Sequence, residues 1–117
     1  MLVQEQLIDQ ETMDGCLNAL GEHKVTVIES FMQQAEGFVA DIFKYSTEED
    51  SSKVVMAAHS LKGASLQLGF HQLGMASKII EDSVKKSETG FPDLDAFNAQ
   101  LKLSYDATLS YIRDKLL

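Results

Sequence analysis

Apolar residues return at intervals of three and four along nearly the whole chain, the spacing that gathers them on one side of a helix turning about 100° per residue. A first, short segment is opened by Asp9 as N-cap, runs to about Leu20 and is stopped by Gly21. A second covers about 22–45, with Ile28, Phe31, Ala35, Phe38 and Ile42 along its buried stripe. The third, capped by Asp50 or Ser51 and ended by Gly69, aligns Val54, Ala57, Leu61, Ala64 and Leu68. In the fourth, about 70–87, the stripe is Leu73, Ala76, Ser77, Ile80 and Val84, and Lys85 and Lys86 complement the dipole of its last turns. A break at 88–93 holds Pro92, and the last segment, about 93–115, shows Leu94, Phe97, Leu101, Tyr105, Thr108 and Ile112. Four long amphipathic helices joined by short turns predict one all-α domain over residues 1–117. Its economical form is an antiparallel up-down-up-down four-helix bundle with the short N-terminal helix lying across one end.

Composition narrows the partners more than the fold. Eighteen acidic residues against ten basic ones leave a net charge of −8, which disfavours nucleic acid or an anionic membrane as partner because no surplus of cations exists to neutralise phosphates. The run Glu48-Glu49-Asp50 reads as a solvated turn favouring the helix start that follows. A single cysteine, Cys16, cannot close an internal disulfide and reads as a small apolar side chain in a reducing compartment. No run approaches the apolar length of a membrane span, and no basic segment leading into an apolar stretch opens the chain, so a cytoplasmic domain is expected. Nothing in the helical pattern asks for a dimer, and a monomer is expected.

The third segment departs from an ordinary surface helix. Opposite its apolar stripe lies His59, with Ser52, Val55, Met56, Lys62, Gly63 and Leu66 around it. A glycine within a helix costs roughly 1 kcal/mol relative to alanine and offers nothing to packing on the solvent side. Gly63 stands one turn after His59 and leaves open space beside the imidazole, as needed if something bulky must reach that ring. Lys62, on the other flank, brings a cation suited to phosphate. Together they describe a nucleophile, its counter-charge and its clearance.

The run His59-Ser60-Leu61-Lys62-Gly63-Ala64-Ser65-Leu66-Gln67-Leu68-Gly69 resembles the signature of histidine-containing phosphotransfer (HPt) domains, roughly H-x-x-K-G-[AS]-[AS]-x-x-[LIV]-G. The Ile8-Asp9-x-x-Thr12 opening, the Leu20-Gly21 pause and the long phenylalanine-containing helix follow that family's usual order as well. The resemblance implies a phosphorelay intermediate in which His59 accepts a phosphoryl group from a receiver-domain aspartate and passes it to another receiver. The implied partners are the receiver of a hybrid sensor kinase and the receiver of a response regulator. No cofactor is expected on this chain, since Mg²⁺ and the acidic pocket would belong to the receiver. By the same resemblance a polar residue of the following helix, often glutamine, comes close to the histidine, and the aligned position here is Glu81. Its carboxylate would accept from the ring N–H and repel a phosphoryl group more than an amide does. Val55, Met56 and Leu66, with Ile8 or Met13 of the first helix, are the expected apolar docking patch.

Blander assignments hold elsewhere. His23 and His71 fall near helix starts and read as solvated or capping residues, Ser65 as a hydroxyl bonded back to the preceding turn, and Gly69 as a C-cap. A di-iron bundle would need Glu-x-x-His pairs, but the residues three before the histidines are Leu20, Met56 and Leu68. No phosphate-binding loop supports an ATP-dependent kinase. The competing class is a helical adaptor bundle that binds signalling partners without being phosphorylated; such a protein would keep its partner-dependent function when His59 is replaced by glutamine.

Overall fold

The structure, a computed structural model, describes residues 6–117, and all regular structure among them is helical. The elements are α1 (Gln10–Leu20), a 3₁₀ turn (Gly21–His23), α2 (Lys24–Thr47), α3 (Ser51–Leu68), α4 (His71–Lys86), α5 (Asp95–Tyr111) and a final π turn (Ile112–Leu116). Each long helix packs on its neighbours in sequence, and α5 closes the ring against α2. The expected bundle is therefore what the chain forms, with α1 as an added element against α3.

Local chemistry accounts for the helix ends. Asp9 accepts from the Thr12 amide at 3.2 Å and the Thr12 hydroxyl at 2.8 Å, and Asp50 caps α3 by accepting from the Lys53 amide at 3.2 Å. Of the two caps expected for α3, Asp50 fills the role. Gly69 ends α3 with φ 92°, a left-handed conformation that glycine adopts without a Cβ penalty. The second helix begins two residues later than expected, because Gly21, at φ 55°, opens a 3₁₀ turn rather than a clean break. At the other end, Asp93 accepts from the Asp95 amide at 3.0 Å and delays α5 to Asp95.

The core is drawn from all of the long helices: Ile28, Phe31, Ala35, Val39 and Ile42 of α2, Val54, Ala57, Ala58, Leu61 and Leu68 of α3, Leu73, Ala76, Ile80 and Val84 of α4, and Leu101 and Tyr105 of α5. Phe70, between α3 and α4, stacks on Phe31 with ring centroids 4.7 Å apart. Phe38, Ala64 and Phe97, expected on buried stripes, are only half-buried. Val39 takes the inner position on α2 in place of Phe38. Two buried positions of α3, Ala58 and Ser65, lie outside its expected stripe. The reason is that α3 packs heavily against both α2 and α4, so it must bury a wider arc than a helix with a single packed face. Ser65 is fully buried, and its hydroxyl has no hydrogen-bond partner among the described residues, contrary to the expected back-bond.

The N-terminal segment is tied to the α3–α4 turn. The Asp9 amide donates to the Gly69 carbonyl at 2.8 Å, and the Gln72 amide donates to the Leu7 carbonyl at 3.2 Å. Met13, facing that turn, is 1% exposed. Its place in a docking patch is thereby overturned: the apolar side of α1 folds onto the bundle end.

Candidate functional site

Because α3 is flanked on two sides, its solvent-facing strip is narrow. Ser52, Met56, His59, Gly63 and Gln67 are its exposed line, at successive steps of four, three, four and four residues. The His59 side chain is 65% exposed, and a Cβ built on Gly63 would meet nothing within 4 Å. The clearance expected from the glycine is present.

On the α4 flank of this strip sits a cluster built around one carboxylate. Glu81 is 2% exposed; its Oε1 accepts from Lys62 Nζ at 2.7 Å, while its Oε2 lies 3.0 Å from His59 Nδ1 and accepts from Lys85 Nζ at 3.1 Å. Burial pushes the carboxyl up, but hydrogen bonds from Lys62, Lys85 and His59 outweigh it and bring Glu81 down to about 2. An ionised carboxylate can only accept a hydrogen bond, so the proton of this contact resides on His59 Nδ1. The tautomer that follows leaves Nε2 with its lone pair.

The sequence places Glu81 near the histidine only through resemblance, and the structure brings the two together. The sequence assigns Lys85 to the helix dipole, and the structure adds its bond to Glu81. Its spacing held the missing signal, since a glutamate four residues before a lysine on one helix places the two side chains side by side. Since the Glu81 carboxyl falls from 4.5 to about 2 on folding, its ionised form stabilises the fold above the higher value, and that contribution disappears as pH drops through the lower one. Thermal melts of the parent and of Glu81→Gln should therefore differ most near neutrality and converge as pH falls from about 5 to about 2.5. A gap that stays constant over that range would contradict the ion cluster.

The remaining docking candidates are placed as follows. Met56, 68% exposed, stands on the strip beside His59. Val55 and Ile8 are half-buried and packed against the core. Leu66 is half-buried and lies over Gly74 of α4, where an added Cβ would come within 2.6 Å of its Cγ. Its reach is inward because α3 uses that side to pack on α4. His23 is exposed beside Glu22, and His71 is the half-buried first residue of α4. Among the described residues no three His, Cys, Asp or Glu side chains are grouped to hold a metal ion, and no helix is long and apolar enough to cross a membrane.

A bundle with an exposed imidazole, flanked by a bare glycine and a lysine and oriented by a buried acceptor on the next helix, is the arrangement of a histidine phosphotransfer module. The family model of the Hpt domain matches residues 26–111, and the chain belongs to that family. Its role is histidine phosphotransfer in a phosphorelay, as an intermediate that works with receiver domains rather than as a conventional enzyme. Among solved structures the fold is similar to that of histidine-containing phosphotransfer protein B (HptB) from Pseudomonas aeruginosa PAO1, with a TM-score of 0.81 at 16% identity, over 95% of this chain and 96% of that one. No curated protein sequence matches the chain.

Proposed function

We propose that His59 is the phosphoacceptor of this module, taking a phosphoryl group from the aspartyl phosphate of one receiver domain and yielding it to the aspartate of another. The observation that carries the assignment is the pairing of an exposed ring with a buried carboxylate at its Nδ1, which, in the neutral ring, places the proton on Nδ1 and the lone pair on Nε2. Nε2 bonds to phosphorus as the acyl oxygen departs with its electron pair. Gly63 leaves room for the entering group, and Lys62, 23% exposed beside the ring, lowers the charge that the phosphoryl oxygens meet. The receiver brings the Mg²⁺. A hybrid sensor kinase supplies the upstream receiver and a response regulator the downstream one, and the module acts as a monomer.

The α2 flank of the exposed strip suits docking, since the α4 flank is occupied by charges. Two largely apolar grooves lie there: one of about 300 Å³ lined by Phe38, Tyr45, Met56 and Ala57 together with Asp41 and Lys53, the other of about 230 Å³ lined by Leu20, Val27, Ala64 and Leu68 together with Gln34 and Gln67. Labelled phosphate supplied on a phosphorylated receiver domain should pass to this chain, map to the peptide containing His59, and prove labile to acid and stable to base. Label that never arrives, or that survives acid as a phosphoserine would, overturns the assignment.

A further inference from the structure

Building on the assignment of His59 as phosphoacceptor, we propose that Glu81 and Lys85, opposing one another through a single oxygen, set how readily the phosphorylated ring gives up its phosphoryl group. Glu81 Oε2 faces both His59 Nδ1, at 3.0 Å, and the Lys85 ammonium, at 3.1 Å. Lys62 occupies the other oxygen at 2.7 Å. The carboxylate is therefore held from both ends, and the share of it available to the ring depends on what Lys85 withdraws.

The consequence appears once phosphorus is on Nε2. Formation of the N–P bond leaves the ring with its Nδ1 proton and a positive charge. When an acceptor oxygen then bonds to phosphorus, the N–P bond breaks and its electron pair returns to Nε2. With the Nδ1 proton retained, the ring departs as neutral imidazole; without it, departure requires an imidazolate, a far poorer leaving group. A carboxylate at position 81 favours the protonated ring. An amide there would still accept from Nδ1–H and orient the ring, but would not hold its proton as strongly. Lys85 acts in the other direction, since its charge on the same oxygen weakens that hold and also favours the phosphoryl dianion. The remaining charges near the cluster are Lys62 from α3 and, on α4, the Lys78–Asp82 pair closed at 2.8 Å, with Lys86 beside Asp82. The paired charges of Lys78 and Asp82 largely offset one another, Lys86 lies toward Asp82, and Lys62 holds the far oxygen, so Lys85 is the cation that shares Oε2 with the ring and opposes Glu81 there.

The test uses the whole chain charged with phosphoramidate, which transfers its phosphoryl group to Nε2 with loss of ammonia and needs no protein donor. His59→Gln protein reports the label taken by His23 and His71, to be subtracted. Loss of phosphohistidine is followed by ³¹P NMR across pH for the parent, Glu81→Gln and Lys85→Gln. In Glu81→Gln the pH at which lability sets in should fall by about one unit, lengthening the lifetime near neutrality several-fold, and in Lys85→Gln it should rise by about half a unit. Opposed displacements support the proposal, because a merely structural role for either residue gives none. Coincident profiles, or displacements in the same direction, overturn it. Should Glu81→Gln fail to fold by circular dichroism, the half-exposed Lys85 decides alone: a rise supports the proposal, and no change or a fall overturns it. The relay assignment is judged separately, by whether label arrives from a receiver domain.

Discussion

Gly63→Gln is expected to leave the bundle folded while lowering the rate of phosphoryl acceptance by at least about 100-fold, the penalty associated with an ångström-scale displacement of reacting groups. Stability and function should move in opposite directions. Position 63 is exposed and a Cβ there meets nothing within 4 Å, so the larger side chain has no clash to relieve. Replacing a helical glycine should raise stability by up to about 1 kcal/mol through backbone entropy and helix propensity. The same side chain, one turn from His59, occupies the space through which, under the proposed assignment of His59, a receiver's aspartyl phosphate comes. Circular dichroism melts and transfer from a labelled receiver measure both halves. Unfolding would make the glycine a packing residue, and undiminished transfer would remove its role in access.

Gly69→Ala is expected to be the most damaging small substitution to the fold. At φ 92° the backbone is left-handed, a conformation that disfavours alanine by roughly 1–2 kcal/mol. Its Cβ would stand 2.8 Å from Met13 Cβ and 2.9 Å from both the Asp9 carbonyl oxygen and the Met13 amide nitrogen. Two of those neighbours are backbone and cannot rotate away, so overpacking adds about 1–3 kcal/mol. A combined loss near 3 kcal/mol should lower Tm by roughly 10 °C or more. Because Gly69 also accepts from the Asp9 amide, hydrogen exchange should show α1 losing protection before the bundle does. An unchanged melt would mean that α1 is not anchored to the α3–α4 turn.

The long helices and their order were legible because each carries a continuous apolar stripe and polar or glycine-containing ends. His59, Gly63 and Lys62 were legible for a related reason: a glycine on the outer face of a helix conflicts with local preference and needs an explanation at that site. What periodicity could not supply was the number of neighbours each helix would have. Leu66 falls near His59 in helical phase, yet α3 turns that side toward α4, and the leucine is partly absorbed. Met13 failed for the same reason, since a short amphipathic helix does not reveal whether its apolar side meets a partner or its own bundle. The grouping of three donors on Glu81 depends on side chains from two helices and needed the tertiary register. Only the Glu81–Lys85 half of it was written locally.

That register has a mechanical side. Leu66 over Gly74 and His59 opposite Glu81 are separated by seven residues along each of two antiparallel helices, so they are rungs of one ladder about 10 Å apart. A leucine seated in the space left by a bare glycine resists sliding of α3 along α4, the displacement that would draw proton and acceptor out of alignment two turns away. A residue two turns from the imidazole thus bears on how that ring meets its carboxylate.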